Sequence, residues 1–143
     1  MSPLDKSIIE RKLEFVKKNL DALETLLAQE AALTSDSLAL MSLERCIERI
    51  VEAAVDASSH ILKQNFGKAP TTYREALLSL GQRGIVPIAL AEKIAPAASL
   101  RNRIVHYYED LDPTLLIQSA KQILQDFPPW MRHVSDYIQA SRG

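Results

Sequence analysis

The chain has 143 residues, 47% of them hydrophobic and 24% charged, and its 17 basic and 18 acidic side chains leave a formal net charge of −1. That length suffices for one buried core over residues 1–143 without disulfides or metal, and a single cysteine, Cys46, rules out an internal disulfide and is expected to be a buried thiol in a reducing compartment. A balanced charge excludes a globally basic nucleic-acid binder, and the lack of any apolar run near the roughly 20 residues that span a bilayer, or of a signal-peptide pattern, leads us to expect a cytoplasmic protein without a membrane partner.

Ile9, Leu13, Val16, Leu20, Leu23 and Leu27 recur at three- and four-residue steps, which predicts a long first helix opening after Ser2-Pro3 and running to about Gln29. A second stripe of Leu40, Leu43, Ile47, Ile50, Ala54 and Ile61 predicts another long helix, capped by Ser35 or Asp36 and ended by Gly67. These two should pack as an antiparallel pair. Lys68 to Thr72 reads as a turn, Tyr73 to Gln82 as a short helix stopped near Gly84, and Pro87 to Ala95 as another, since proline suits a first turn. Pro96 or Ala97 opens the next helix, and Asp110 to Pro113 carries turn chemistry. The last helix begins near Pro113 with Leu116, Ala120 and Ile123. Pro128-Pro129 is expected to break or sharply kink it before Trp130, Val134 and Ile138 resume the stripe, with Trp130 in the core or at an interface. No strand of period two, repeat or low-complexity linker is present, so the expected fold is an all-α antiparallel bundle of four to six helices.

The chemistry concentrates in the penultimate helix, where Leu100 to Asp110 spells R-N-x-x-x-H-x-Y through Arg101, Asn102, His106 and Tyr108. Arginine offers a fixed planar charge matched to phosphate oxygens, and histidine a proton donor and acceptor near neutral pH, a pair suited to phosphodiester chemistry without metal. A helix turns about 100° per residue, so Asn102 and His106 share a face where the amide could orient the imidazole, with Arg101 offset from them. Taken alone, His106 reads as a histidine at a helix end. Arg74, Arg83, Arg101 and Arg103 cluster in sequence and form either a local phosphate-binding patch or a solvated face. His60 and His133 stand apart from any carboxylate or cysteine at ligand spacing, so packing or exposure accounts for them and no metal site is expected. Cleaving RNA by its own 2′-hydroxyl needs a base, an acid and a cation on the transition state. One chain supplies one motif histidine, and a symmetric dimer would bring two copies of His106 and Arg101 into one cleft.

In its fuller form R-N-x-x-V-H-x-Y, preceded by Pro70-Thr71-Thr72-Tyr73-Arg74-Glu75-Ala76 and Leu80-Gly81-Gln82-Arg83-Gly84-Ile85-Val86-Pro87, this segment resembles the HEPN superfamily and, within it, the HepT-like toxins encoded beside a minimal nucleotidyltransferase antitoxin. The resemblance implies a homodimeric, metal-independent endoribonuclease with a composite site and no cofactor. Arg101 would hold the scissile phosphate, His106 would act as general acid and base, and Asn102 would orient or support them; Arg103 and Arg74, from the arginine cluster itself, are the further candidates for RNA contact. It also implies that Tyr108 accepts AMP groups from the partner nucleotidyltransferase, silencing the toxin by covering Arg101; an aromatic lid on the motif helix is the other reading of Tyr108. A catalytically silent HEPN module that binds a nucleotide or a partner, and a plain helical interaction protein, are the alternatives to a toxin.

Overall fold

The computed structural model describes residues 4–107 and 111–141. They form seven helices, α1 Lys6–Leu27, α2 Glu30–Ser35, α3 Ser37–Phe66, α4 Tyr73–Gln82, α5 Ile88–Ile94, α6 Pro96–Tyr107 and α7 Pro113–Ala140, with no strand among the described residues.

Local chemistry fixes most of the boundaries. Asp5 caps α1 by accepting from the backbone N–H groups of Ser7 and Ile8, and Asp36 caps α3 by accepting from that of Leu38, each satisfying donors that the first helical turn leaves free. Gly67 ends α3 in the left-handed region at φ 68°, where a side chain is disfavoured. At α4, Thr72 Oγ1 accepts from Glu75 N–H, while the Glu75 carboxylate reaches back to the N–H and hydroxyl of Thr71, at 2.8 and 2.6 Å. Asp112 caps α7, with Pro113 in its first turn.

Three long helices form the frame. Lys12 pairs with Asp56 at 3.1 Å and Asp5 N–H donates to His60 Nε2 at 3.2 Å, so the start of α1 lies beside the end of α3 and the pair is antiparallel as expected. Lys121 pairs with Glu30, and Asn65 donates to the Tyr137 hydroxyl, which sets the start of α7 by α2 and its end by the end of α3. α7 therefore also runs opposite to α1. Ile9, Leu23, Ile47, Ile50, Ile61, Phe127 and Trp130 are fully buried between these helices, and each such side chain stabilises the fold by roughly 1.5–3 kcal/mol through removal from water. Leu77, Leu80 and Ile94 extend the core under the shorter α4, α5 and α6, which pack on α3 and α7. Gly81 makes the α4–α5 approach feasible, because a Cβ there would lie 2.6 Å from that of Ala91.

Two expectations need correcting. The link between the long helices is itself helical over Glu30–Ser35, after α1 ends at Leu27 rather than Gln29. In addition, α7 runs through Pro128 and Pro129 without the break that the prolines suggested. The two prolines remove only the N–H groups that would have met the carbonyls of Leu124 and Gln125. Burial of Phe127, Trp130, Val134 and Ile138 along one stripe on both sides of the interruption outweighs that local loss.

Candidate active site on the motif helix

Pro96 opens α6, and Ala97, Ala98, Leu100 and Ile104 bury one face of it. That anchorage sets where every motif side chain points. Arg101 turns towards α3 and α4 and is mostly covered, its side chain 18% exposed. Its Nε and Nη2 both donate to Glu52 Oε2 on α3, at 3.2 and 2.8 Å, its Nη1 donates to Asn102 Oδ1 at 3.2 Å, and its guanidinium lies 4.5 Å from the ring centre of Tyr73, the first residue of α4. The arginine is thus held by charge from one helix and by stacking from another, both stronger in a partly covered setting than in open water.

Asn102, Arg103, Val105 and His106 face solvent, with His106 in the last turn of the helix. The amide oxygen of Asn102 accepts from Arg101 Nη1. Tyr108 lies outside the described residues.

The four arginines separate into two places. Arg74 is exposed one residue after Tyr73 at the start of α4, and Arg103 is exposed on α6. Arg83 stacks 4.7 Å over Phe66 at the end of α3, 14 positions past Glu52, which is roughly 21 Å along a helix at 1.5 Å per residue. His60 is engaged by the backbone of Asp5, and His133 is exposed on α7. Cys46 is a buried free thiol whose pKa is pushed up by burial, with Arg49 pulling weakly the other way. Among the described residues no group of three or more His, Cys, Asp or Glu side chains is placed to hold a metal ion, and no helix is long and apolar enough to cross a membrane.

Sequence reasoning passed over Glu52 and Tyr73. Glu52 sits 49 positions before Arg101 within an ordinary amphipathic helix, and nothing in its neighbourhood marks it. Tyr73 lay inside a segment that carried the family resemblance, yet only the tertiary contact shows what its ring touches.

The sequence profile of a family described as Ribonuclease HepT-like matches residues 16–134. The tRNA nuclease HepT of Aphanizomenon flos-aquae is 36% identical over 141 residues, covering 96% of this chain and 95% of that protein. The mRNA nuclease HepT of Shewanella oneidensis is 23% identical over 120 residues, covering 84% and 90%. Among solved structures, the tri-AMPylated HEPN toxin of Shewanella oneidensis in complex with MNT antitoxin matches with a TM-score of 0.84 over 90% of this chain and 97% of that one, at 22% identity, which establishes a common fold.

Proposed function

Since the chain belongs to the HepT-like family of the HEPN superfamily, we propose that it is a metal-independent endoribonuclease, the toxin of a toxin–antitoxin pair, acting as a homodimer and silenced by AMP transfer to Tyr108 from a nucleotidyltransferase antitoxin. The observation that carries this reading is the pairing, on one helix, of an arginine fixed by Glu52 and Tyr73 with an exposed histidine five residues further on. Relatives named as RNA nucleases and a neighbour solved as an AMPylated toxin with its antitoxin support it.

In the proposed reaction a neutral imidazole of His106 takes the proton from a ribose 2′-hydroxyl, and the 2′-oxygen attacks the adjacent phosphorus. The bond to the 5′-oxygen breaks, and that oxygen takes a proton from the second, protonated copy of His106. The products are a 2′,3′-cyclic phosphate and a 5′-hydroxyl, with no net change in protons. Arg101 stabilises the charge gathering on the non-bridging oxygens. The need for two imidazoles is what calls for a second copy of the chain, and Val105, apolar yet 39% exposed beside His106, gives two motif helices a point of contact. Arg74 and Arg103 would meet flanking phosphates. In silencing, the Tyr108 phenol oxygen attacks the α-phosphorus of ATP and pyrophosphate departs. The attached phosphate then competes with RNA for Arg101 by charge and bulk.

The test expresses the chain alone beside His106→Ala and Arg101→Ala and follows growth and cleavage of total RNA, with intact mass taken after co-expression with the nucleotidyltransferase. Arrest and cleavage by the wild type alone, with mass rising in AMP steps that vanish in Tyr108→Phe, is the expected result. Three equally harmless chains of unchanged mass would instead leave a silent helical scaffold.

A further inference from the structure

Resting on the ribonuclease reading, we propose that Glu52 is a positioning residue. It locks Arg101 so that only the Nη1–Nη2 end of the guanidinium meets the scissile phosphate, and it improves turnover at the expense of RNA affinity.

A guanidinium carries five N–H groups: one on Nε and two on each Nη. Glu52 Oε2 takes the Nε proton and one from Nη2, and Asn102 Oδ1 takes one from Nη1. Among the described residues two remain, one on each terminal nitrogen. One face of the guanidinium plane is closed by the Tyr73 ring. Bidentate capture of a phosphate needs two parallel N–H groups, and the terminal edge is where Arg101 still has them. A carboxylate on α3 and an aromatic on α4 therefore decide the approach line of the phosphate, although neither belongs to the motif.

The carboxylate also acts electrostatically. Glu52, its side chain 32% exposed, places a negative charge 2.8 Å from the group that is to attract a polyanion. Against the ground state of RNA this is repulsive. An arginine free to swing would bind RNA phosphates more readily and in more orientations, few of them in line for attack, whereas a fixed one gives up affinity for a reactive geometry. Arg45 and Glu48, two turns and one turn before Glu52 on α3, neutralise each other at 2.7 Å.

The discriminating variant is Glu52→Gln, which keeps shape and one acceptor oxygen but drops the charge. Glu52→Asp, which restores the charge on a shorter arm, accompanies it. For the full-length proteins, cleavage of a fluorescent RNA oligonucleotide under single-turnover conditions gives the rate of the chemical step, and anisotropy in the His106→Ala background, with and without Glu52→Gln, gives RNA affinity. Circular dichroism and thermal melting verify the fold of each variant. The expected result is a fall in turnover on the order of 10²-fold for Glu52→Gln, a gain in RNA affinity, and partial recovery in Glu52→Asp. A role confined to folding would lower melting temperature and weaken both quantities together, and that result overturns the proposal. So does a Glu52→Gln protein that cleaves at the wild-type rate. If the wild-type chain cleaves no RNA, the ribonuclease reading falls and this inference with it, an outcome separable from the others because it appears before any variant is compared.

Discussion

The long-helix half of the molecule and its short-helix half solve different problems. α1, α3 and α7, of 22, 30 and 28 residues, align long apolar stripes and hold most of the fully buried side chains. α4, α5 and α6, of 10, 7 and 12 residues, bury much less per helix but present Tyr73, Arg74, Arg101, Asn102 and His106. Isolated helices that short are marginal in water, so the second half depends on the first for its shape. Glu52 is where the frame reaches the motif helix directly, through Arg101. The contrast teaches that stability and reactivity are carried by separable sets of residues joined at few points, and substitutions on either side test the separation.

The largest effect expected is on turnover alone. His106→Ala removes an exposed side chain and should lower RNA cleavage by about 10²–10⁴-fold, the range for loss of a general acid or base, while the melting temperature stays where it was. A matching loss of stability would break the division. Its converse is Trp130→Ala in the frame. Trp130 is wholly buried, its ring centre 6.0 Å from that of Phe127, and its truncation should cost about 3–5 kcal/mol in denaturant unfolding, with cleavage per folded molecule preserved. Gly81→Ala probes the short half from within. The new methyl collides with Ala91, and overpacking of this kind typically costs about 1–3 kcal/mol. Because α5 leads directly into α6, cleavage should fall as well, which a kinetic assay on the folded fraction will show.

Smaller effects come from the caps. Asp36→Ala leaves the Leu38 N–H at the start of α3 without its acceptor and should cost about 1 kcal/mol in a chemical melt without touching cleavage. Glu75 gives the weakest signal and a pH signature. Thr71, through its hydroxyl and its backbone N–H, holds the Glu75 carboxyl below its ordinary value of 4.5. A group whose pKa is lower folded than unfolded contributes stability that is complete above the unfolded value and fades as pH falls through the folded one. Glu75→Gln should therefore be slightly less stable than the wild type at neutral pH, and the two melting curves should converge in acid as the pH falls through the lowered pKa of the folded carboxyl.

How much of this was legible in the chain depends on the range of the interaction concerned. Asp36, Gly67 and Pro96 bound their helices where a sequence reading puts them, and Tyr73–Gln82 is helical to the residue, because caps and turns are decided within four or five positions. α2 escaped notice because six residues are too few to display a period. Pro128-Pro129 misled as to a break for the opposite reason: a strong local preference for ending the helix was overruled by the burial of residues on either side. At the site, the type and spacing of Arg101 and His106 pointed to phosphodiester chemistry, but the fixing of Arg101 by Glu52 and Tyr73 spans 49 and 28 positions, beyond any local pattern. Arg83 shows the reverse error, for nearness in sequence placed it with Arg101 while the length of α4 carries it to Phe66.

The tethering of Arg101 from two other helices bears on transplantation. A peptide spanning the motif, or the same eight letters written onto an unrelated helix, would keep the arginine and the histidine but lose the glutamate and the aromatic ring that aim the first of them. A sequence search for working copies of this site should therefore ask for more than R-x4-H-x-Y: an acidic residue about 49 positions upstream on a long amphipathic helix and an aromatic about 28 positions upstream at a helix start, the separations seen between Glu52, Tyr73 and Arg101. Chains with the motif but without those two companions would make informative subjects for asking whether a loose arginine can still cut.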